Sequence, residues 1–337
     1  MKSMKSNLLQ VKDLAIGYGS KLVADKLSAN IPSGELICLL GSNGTGKSTL
    51  IRSICGFQPI LSGSVLLNQL EVKNLGTREL SKLIAVVLTD RVVVPNATVE
   101  ELVGYGRSPY TGMLGRLNVA DKIIVQNAIS ECGIAHKKDS PLSSLSDGER
   151  QKAFIAKALA QDTPLIILDE PTAFLDLSAR VEIMQLLRNI ANSSGKSILM
   201  STHDLDLALQ LSDRLWLLQQ GGPLLTGSPE DLLLQNAFQS MFKHKGIEFD
   251  NKTGLFTVKH SQHSEMAVKG HGFEYVLLRR AFARNGVKTI SKKEEDSTWL
   301  EVCKNGSVHF KFYREGTYVG QEDSIEDLLK LTLKSVQ

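Results

Sequence analysis

The chain has 337 residues, with 39 Lys and Arg against 36 Asp and Glu, a formal net charge of +3 and 42% hydrophobic residues. This composition predicts a soluble globular protein with its own core. It excludes widespread disorder, and it lacks the basic excess with which a protein neutralises a nucleic-acid backbone. At about 100–200 residues per domain, the length fits two domains. Cys38, Cys55, Cys132 and Cys303 are far apart and form no CxxC pair. They predict neither a disulfide framework nor a zinc site, but thiols in a reducing compartment. The first residues lack the apolar core of a secretion signal, and no run of about 20 apolar residues occurs anywhere.

In chain order, residues 8–16 and 22–31 read as strands, with a turn at Pro32-Ser33-Gly34. Residues 35–40, ELICLL, form the near-continuous apolar run of a strand buried on both faces. A glycine-rich turn and a helix from about Ser48 follow. Residues 64–72 predict a strand pair around Asn68. From 77 to 145 the pattern turns helical, notably at 99–105 and 120–132, with the loop RSPYTGMLGRL between them. Strands are predicted at 165–168, 197–201 and 214–220. A helix capped by Asp176 runs to about residue 191, and another starts at Asp204. Strands alternating with helices imply a mostly parallel, helix-covered sheet.

Near residues 243–246 the pattern changes. Residues 273–284 suit an amphipathic helix, 298–303 and 308–313 a hairpin across Asn305-Gly306, and 324–334 a closing helix. The reading is two domains, residues 1–245 and 246–337, the second a small α+β unit.

The strand ELICLL runs into Gly41-Ser42-Asn43-Gly44-Thr45-Gly46-Lys47-Ser48, which matches G-x-x-x-x-G-K-[ST] between a strand and a helix. Glycines let the backbone wrap closely around a polyphosphate, with amide N–H groups converging at a helix N-terminus. Lys47 supplies positive charge for the β- and γ-phosphates, and the Ser48 hydroxyl is a Mg²⁺ ligand candidate. The apolar strand of LIILDE delivers Asp169 to a sheet edge, where it can hold Mg²⁺ through water. Glu170 follows as candidate base for the attacking water.

The segment Leu145-Ser146-Asp147-Gly148-Glu149-Arg150-Gln151 resembles the LSGGQ signature of ABC-transporter ATPases and precedes the LIILDE strand as in that family. Tyr18 resembles the aromatic that stacks on adenine, Ala173-Phe174-Leu175-Asp176 the D-loop, and His203 the switch histidine. The resemblance covers residues 7–245. It implies the P-loop ABC ATPase fold: a parallel core sheet, an antiparallel β subdomain and a helical signature subdomain. It also implies two copies facing head to tail, each ATP lying between one chain's phosphate loop and the other's signature. Ser146 and the backbone around Gly148 would then bind the γ-phosphate across the interface, Thr49 would join the loop residues at the nucleotide, and His203 would stabilise the water activated by Glu170.

Two departures stand out. Where the family has a glutamine reaching the Mg²⁺ shell, this chain has Thr89-Asp90, either of which can reach the metal through water. Asp147 and Glu149 replace a glycine and the glutamine of the signature, and a carboxylate there repels the γ-phosphate unless it points away. The segment TVEELVGYGRSPYTGMLGRL at 98–117 resembles that of importers for ferric siderophores, haem and vitamin B12, and makes Arg107, Pro109 and Tyr110 candidates for docking a permease. The implied protein is a homodimeric ATPase on the cytoplasmic membrane face, with integral-membrane permease subunits and, indirectly, a periplasmic or surface substrate-binding protein. No nucleic-acid partner is expected.

Other readings are a soluble ABC ATPase working on nucleic acid, ribosomes or cluster assembly, and a degenerate nucleotide sensor. The first is opposed by the single ATPase half and the lack of inserted coiled coils or zinc modules. The second is opposed by the intact Lys47, Ser48, Asp169, Glu170 and His203. His260, His263 and His271 raise a metal-sensor reading that has no paired acidic or cysteine ligand to support it.

Overall fold

The computed structural model describes residues 7–89, 96–112, 115–238, 246–250, 255–258, 260–305 and 307–333. Contacts divide the chain into two compact units, residues 1–241 and 242–337. The change of pattern at 243–246 falls largely outside the described residues, as do Asp90 and Gly306.

In the first unit, β1 (Asn7–Tyr18) and β2 (Lys21–Pro32) form an antiparallel pair. β3 (Leu36–Gly41) is buried at every position, because neighbours cover both of its faces and leave no place for a polar side chain. It feeds α1 (Lys47–Ile54), after which β4 (Ser62–Leu67) and β5 (Leu70–Glu71) extend the first pair into the four-stranded sheet β2-β1-β4-β5. The pair expected around Asn68 is thus present.

Next come α2 (Thr77–Leu80), β6 (Ile84–Val87), α3 (Val99–Gly104), α4 (Val119–Glu131) and α5 (Asp147–Ala160). Thr98, Asn118 and Ser146 cap the last three, each side-chain oxygen accepting the N–H three residues on, as N-cap chemistry predicts. The chain continues through β7 (Leu165–Leu168), α6 (Leu177–Ser194), β8 (Ser197–Ser201), α7 (Leu205–Leu211), β9 (Arg214–Leu218), β10 (Leu224–Gly227) and α8 (Pro229–Leu234). Asp176 caps α6 as read from the sequence, and Asp204, where a helix was expected to start, caps α7. The second sheet has the order β10-β9-β3-β8-β7-β6, parallel except for β10. Because β3, β7 and β8 are neighbours and parallel, the loops after all three leave from the same end of the sheet, where α/β proteins place their ligands.

The carboxy-terminal unit has a hairpin, β11 (Ile247–Asp250) and β12 (Leu255–Val258), followed by β13 (Ser264–Lys269), α9 (Phe273–Arg284), β14 (Val287–Ser291), β15 (Trp299–Asn305), β16 (Ser307–Arg314), β17 (Thr317–Glu322) and α10 (Ile325–Leu333). The five-stranded sheet runs β14-β13-β15-β16-β17. β13 is parallel to both of its neighbours, β14, which it reaches through α9 in a β-α-β crossover, and β15, while β15, β16 and β17 form an antiparallel meander. Met266, Val268, Leu300, Phe310 and Phe312 pack on Leu278, Phe282 and Leu328 of the two helices, forming one small core on one face of the sheet. Both units fit the α/β-plus-α+β reading.

Candidate active site

At the end of β3 the chain folds back on itself. A Cβ on Gly41 would lie 2.7 Å from Thr45 Oγ1 and 2.8 Å from the Leu218 carbonyl. Gly46, at φ 102°, would press a Cβ to 2.6 Å from Val23 Cγ1. Both positions therefore require glycine, for space and at Gly46 also for backbone geometry. Thr45 closes the turn, its N–H and hydroxyl both donating to the Ser42 carbonyl. Lys47 is only 6% exposed, and its ammonium donates to the Gly41 and Ser42 carbonyls at 2.9 and 3.4 Å. A buried ammonium held by loop carbonyls is a positive centre preorganised for an anion. Asn43, Gly44 and Ser48 are exposed around it. Thr49 is buried, and its Oγ1 lies 3.2 Å from the Tyr18 hydroxyl, so it steadies a ring that is 53% exposed and free to stack.

Asp169 and Glu170 follow β7, and His203 follows β8. The register Leu168↔Met200 sets Asp169 beside Ser201. Ser201, fully buried, donates to Asp169 Oδ1 at 2.6 Å and accepts the Glu170 N–H at 2.8 Å. This residue was missed in the sequence, where it is simply the last position of an apolar strand. Glu170 has φ 49°, a left-handed conformation that costs a non-glycine residue about 1–3 kcal/mol and recurs at functional sites. Its Oε1 lies 2.6 Å from His203 Nε2. A carboxylate and an imidazole at that distance can share or exchange a proton, which is the equipment of a general base.

Lys47 and Ser48, with Asp169, Glu170 and His203, thus cap three adjacent strands. The glycine cradle, the buried ammonium and the hydroxyl–carboxylate pair fit a triphosphate with Mg²⁺. Ser48 and Asp169 are the residues that would hold the ion, which supplies charge neutralisation between the phosphates when bound. The Thr89 hydroxyl donates to the Asp169 carbonyl at 2.7 Å. It therefore ties the end of β6 to that of β7 rather than pointing outward like a long glutamine. Arg180 was also unread: its Nε donates to the Leu175 carbonyl, and Nη1 lies 3.8 Å from Asp204 Oδ2, linking the 173–176 loop to the residue after His203.

The signature stands at the start of α5. Ser146 caps it, accepting the Glu149 N–H, while Glu149 Oε2 accepts the Ser146 N–H at 2.9 Å and its hydroxyl at 3.1 Å. The Ser146 backbone bond holds the Glu149 carboxyl below its ordinary pKa, and Lys137 at 3.4 Å adds to this. Glu149 is thereby turned back onto the cap, and Asp147 is turned toward Arg150 at 3.3 Å. Gly148 approaches α6 closely, a Cβ there lying 3.3 Å from that of Ala179.

One expectation needs correction. Arg107 is not available to a docking partner: it is 6% exposed, with Nε on Asp121 Oδ1 and Nη1 on the Ala160 carbonyl, both at 2.9 Å. Burial of a guanidinium demands such partners, so Arg107 braces the turn against α4 and α5. Tyr110 lies over it, with its ring centroid 4.0 Å from the guanidinium carbon, and stays partly exposed. Among the described residues, no group of three or more His, Cys, Asp or Glu is placed to hold a metal ion, and no helix is long and apolar enough to cross a membrane.

The ABC transporter family model matches residues 24–173. The iron(3+)-hydroxamate import ATP-binding protein FhuC of Bacillus subtilis is 36% identical over 237 residues, covering 70% of this chain and 88% of that protein. The structure of CbiO1 from Clostridium perfringens, part of the transporter complex CbiONQ, matches with a TM-score of 0.62 and 29% identity over 72% of this chain and 96% of its own. A dimeric post-hydrolysis structure of the cassette MJ0796 with ADP and Pi shares the fold, with a TM-score of 0.57 and 24% identity over 66% of this chain and 98% of that one.

Proposed function

This chain belongs to the ATP-binding subunits of ABC transporters, and from that premise we propose that it hydrolyses ATP to drive uptake of a metal chelate: a ferric siderophore, haem or cobalamin. The carrying observation is the convergence of the Lys47 cradle, Asp169 and the Glu170–His203 pair on one edge of the parallel sheet. In this reading Lys47 and the loop amides bind the β- and γ-phosphates, Glu170 takes the proton of the attacking water, and His203 holds Glu170 and the water in line. Tyr18 stacks on the base. Two copies close on ATP, Ser146 and the Gly148 backbone of one chain completing the other's site, and reopen after hydrolysis to move the permease. The similarity to FhuC and the 98–117 segment support the chelate branch, and the match to CbiO1 supports permease partners. The subunit would work peripherally at the cytoplasmic membrane face, receiving cargo through a separate substrate-binding protein.

The test is affinity capture from detergent-solubilised native membranes, with and without ATP. Recovery of a polytopic membrane protein that stimulates hydrolysis is the expected result. Recovery of ribosomes or nucleic acid, with no membrane protein, would replace transport by a soluble role for the same ATPase.

A further inference from the structure

The signature of this chain carries two carboxylates, Asp147 and Glu149, and the mechanism above gives neither a part. Asp147 is answered within α5. Arg150, one turn on, lies 3.3 Å from its Oδ1 and donates from Nη2 to the Leu145 carbonyl at 3.2 Å. Glu149 is answered from outside the helix. Its Oε2 accepts the N–H and the hydroxyl of Ser146, while its Oε1 faces the Lys137 ammonium at 3.4 Å and His136 Nε2 at 3.9 Å.

Lys137 ends the short turn Ala135–Lys137, and backbone bonds fix where it stands. The Lys137 carbonyl accepts the Ser140 N–H at 2.9 Å, and the Lys138 and Ser140 carbonyls accept the Glu100 and Val99 N–H groups of α3 at 2.9 and 3.2 Å. The side chains of Lys137 and Glu149 are 35% and 26% exposed, so in the single subunit water screens the pair and it contributes little to stability. An interface closing over them removes that screening. The Ser146 hydroxyl has one proton, and here it goes to Glu149 Oε2. To donate to the γ-phosphate of a facing copy, the hydroxyl must turn away from Oε2. That move leaves a carboxylate short of a donor beside an anionic ligand, and without a cation the repulsion opposes closure.

We propose that Lys137 is the positioning residue that makes this acidic signature competent: it holds the Glu149 carboxylate by Oε1 while the Ser146 hydroxyl passes from Oε2 to the γ-phosphate of the facing copy. Only hydrogen bonds are exchanged, and no proton changes owner. Ser146 and the Gly148 backbone touch the nucleotide, and Lys137 acts on it through Glu149 alone. This role rests on the two-copy reading above.

The test uses the full chain carrying Glu170→Gln, in which closure on ATP is read as dimer mass by light scattering. Adding Lys137→Met is expected to raise the ATP concentration for half-maximal dimer about tenfold or more. Lys137→Arg keeps the charge in the same turn and is expected to restore the parent value. ATP binding by the single subunit, measured by equilibrium dialysis below the dimerising protein concentration, is expected to stay unchanged in both, because the phosphate loop is a separate segment. With Glu149→Gln also present there is no charge to hold, and Lys137→Met is then expected to shift the half-maximum by no more than about twofold. Dimer formation by Lys137→Met at the parent's ATP concentration would overturn this role for Lys137. So would an equal loss in the Glu149→Gln background, which would put Lys137 on the phosphate itself or in the fold. A parent chain that binds ATP and never dimerises would instead remove the two-copy reading, and the role of Lys137 with it.

Discussion

In the amino-terminal unit the central strands are buried on both faces and the chemistry sits at the carboxyl edge of the sheet. The carboxy-terminal unit instead covers one sheet face with two helices and sets aromatic and charged side chains on the other. An edge site is assembled from loops that each deliver several consecutive residues, so it leaves contiguous motifs such as 41–48 and 169–170. A row across a sheet face takes one residue per strand, and loops of unrelated length separate its members. Strand register sets Ile290, Ala267, Trp299, Tyr313 and Tyr318 in one such row, with no two of them adjacent in sequence.

The contrast is broken most directly at turnover. Glu170→Gln should lower ATP hydrolysis about 10²–10⁴-fold and leave an ATP-bound dimer visible by light scattering. Turnover near the wild-type rate would remove Glu170 as the base. Next in size is Arg107→Ala, which strands the buried Asp121 carboxylate and should cost about 3–5 kcal/mol. In urea only the amino-terminal unit's transition should move, and a shift shared by both units would show that they do not unfold independently. Ser201→Ala leaves Asp169 without its donor and the Glu170 N–H without its acceptor, an expected loss of about 1–3 kcal/mol in the same assay. Its turnover should fall as well, because Glu170 loses the bond that holds its left-handed backbone.

Thiol chemistry separates the units without mutation. Burial pushes the Cys38 and Cys132 thiols up to about 12, and Cys55 likewise upward, whereas Cys303 is partly exposed. The native chain should alkylate quickly at Cys303 alone and at all four cysteines in denaturant. Rapid native labelling of the other three would show that the first unit opens locally. The smallest effect concerns acid. Because the Glu149 pKa is lowered in the folded chain, its cap contributes fully above the ordinary value of 4.5 and is lost as pH falls through the folded value. Glu149→Gln should flatten that limb of the stability curve slightly, and an unchanged limb would show that the cap carries no linkage.

Legibility followed the same division. The strand ELICLL, the Asp176 cap, the helix start at Asp204, the phosphate loop and the two acids after LIIL were readable because each is local: burial, capping and phosphate wrapping act over a few consecutive residues. Ser201 was not readable, since its value lies in sitting beside Asp169 across two parallel strands. Arg107 was misread for a related reason. An arginine in a polar loop implies exposure until the fold brings Asp121 and the Ala160 carbonyl around it.

The sequence by itself determined the family, the ATPase edge and the existence of a second, differently patterned unit, because glycine geometry, strand burial and helix capping are written in neighbouring residues. Only the tertiary structure decided that Thr89 ties β6 to β7, that Ser201 holds Asp169, and that Ile290, Ala267, Trp299, Tyr313 and Tyr318 fall in one row. Each of these depends on pairing register or side-chain direction, which long-range packing selects and no local pattern encodes.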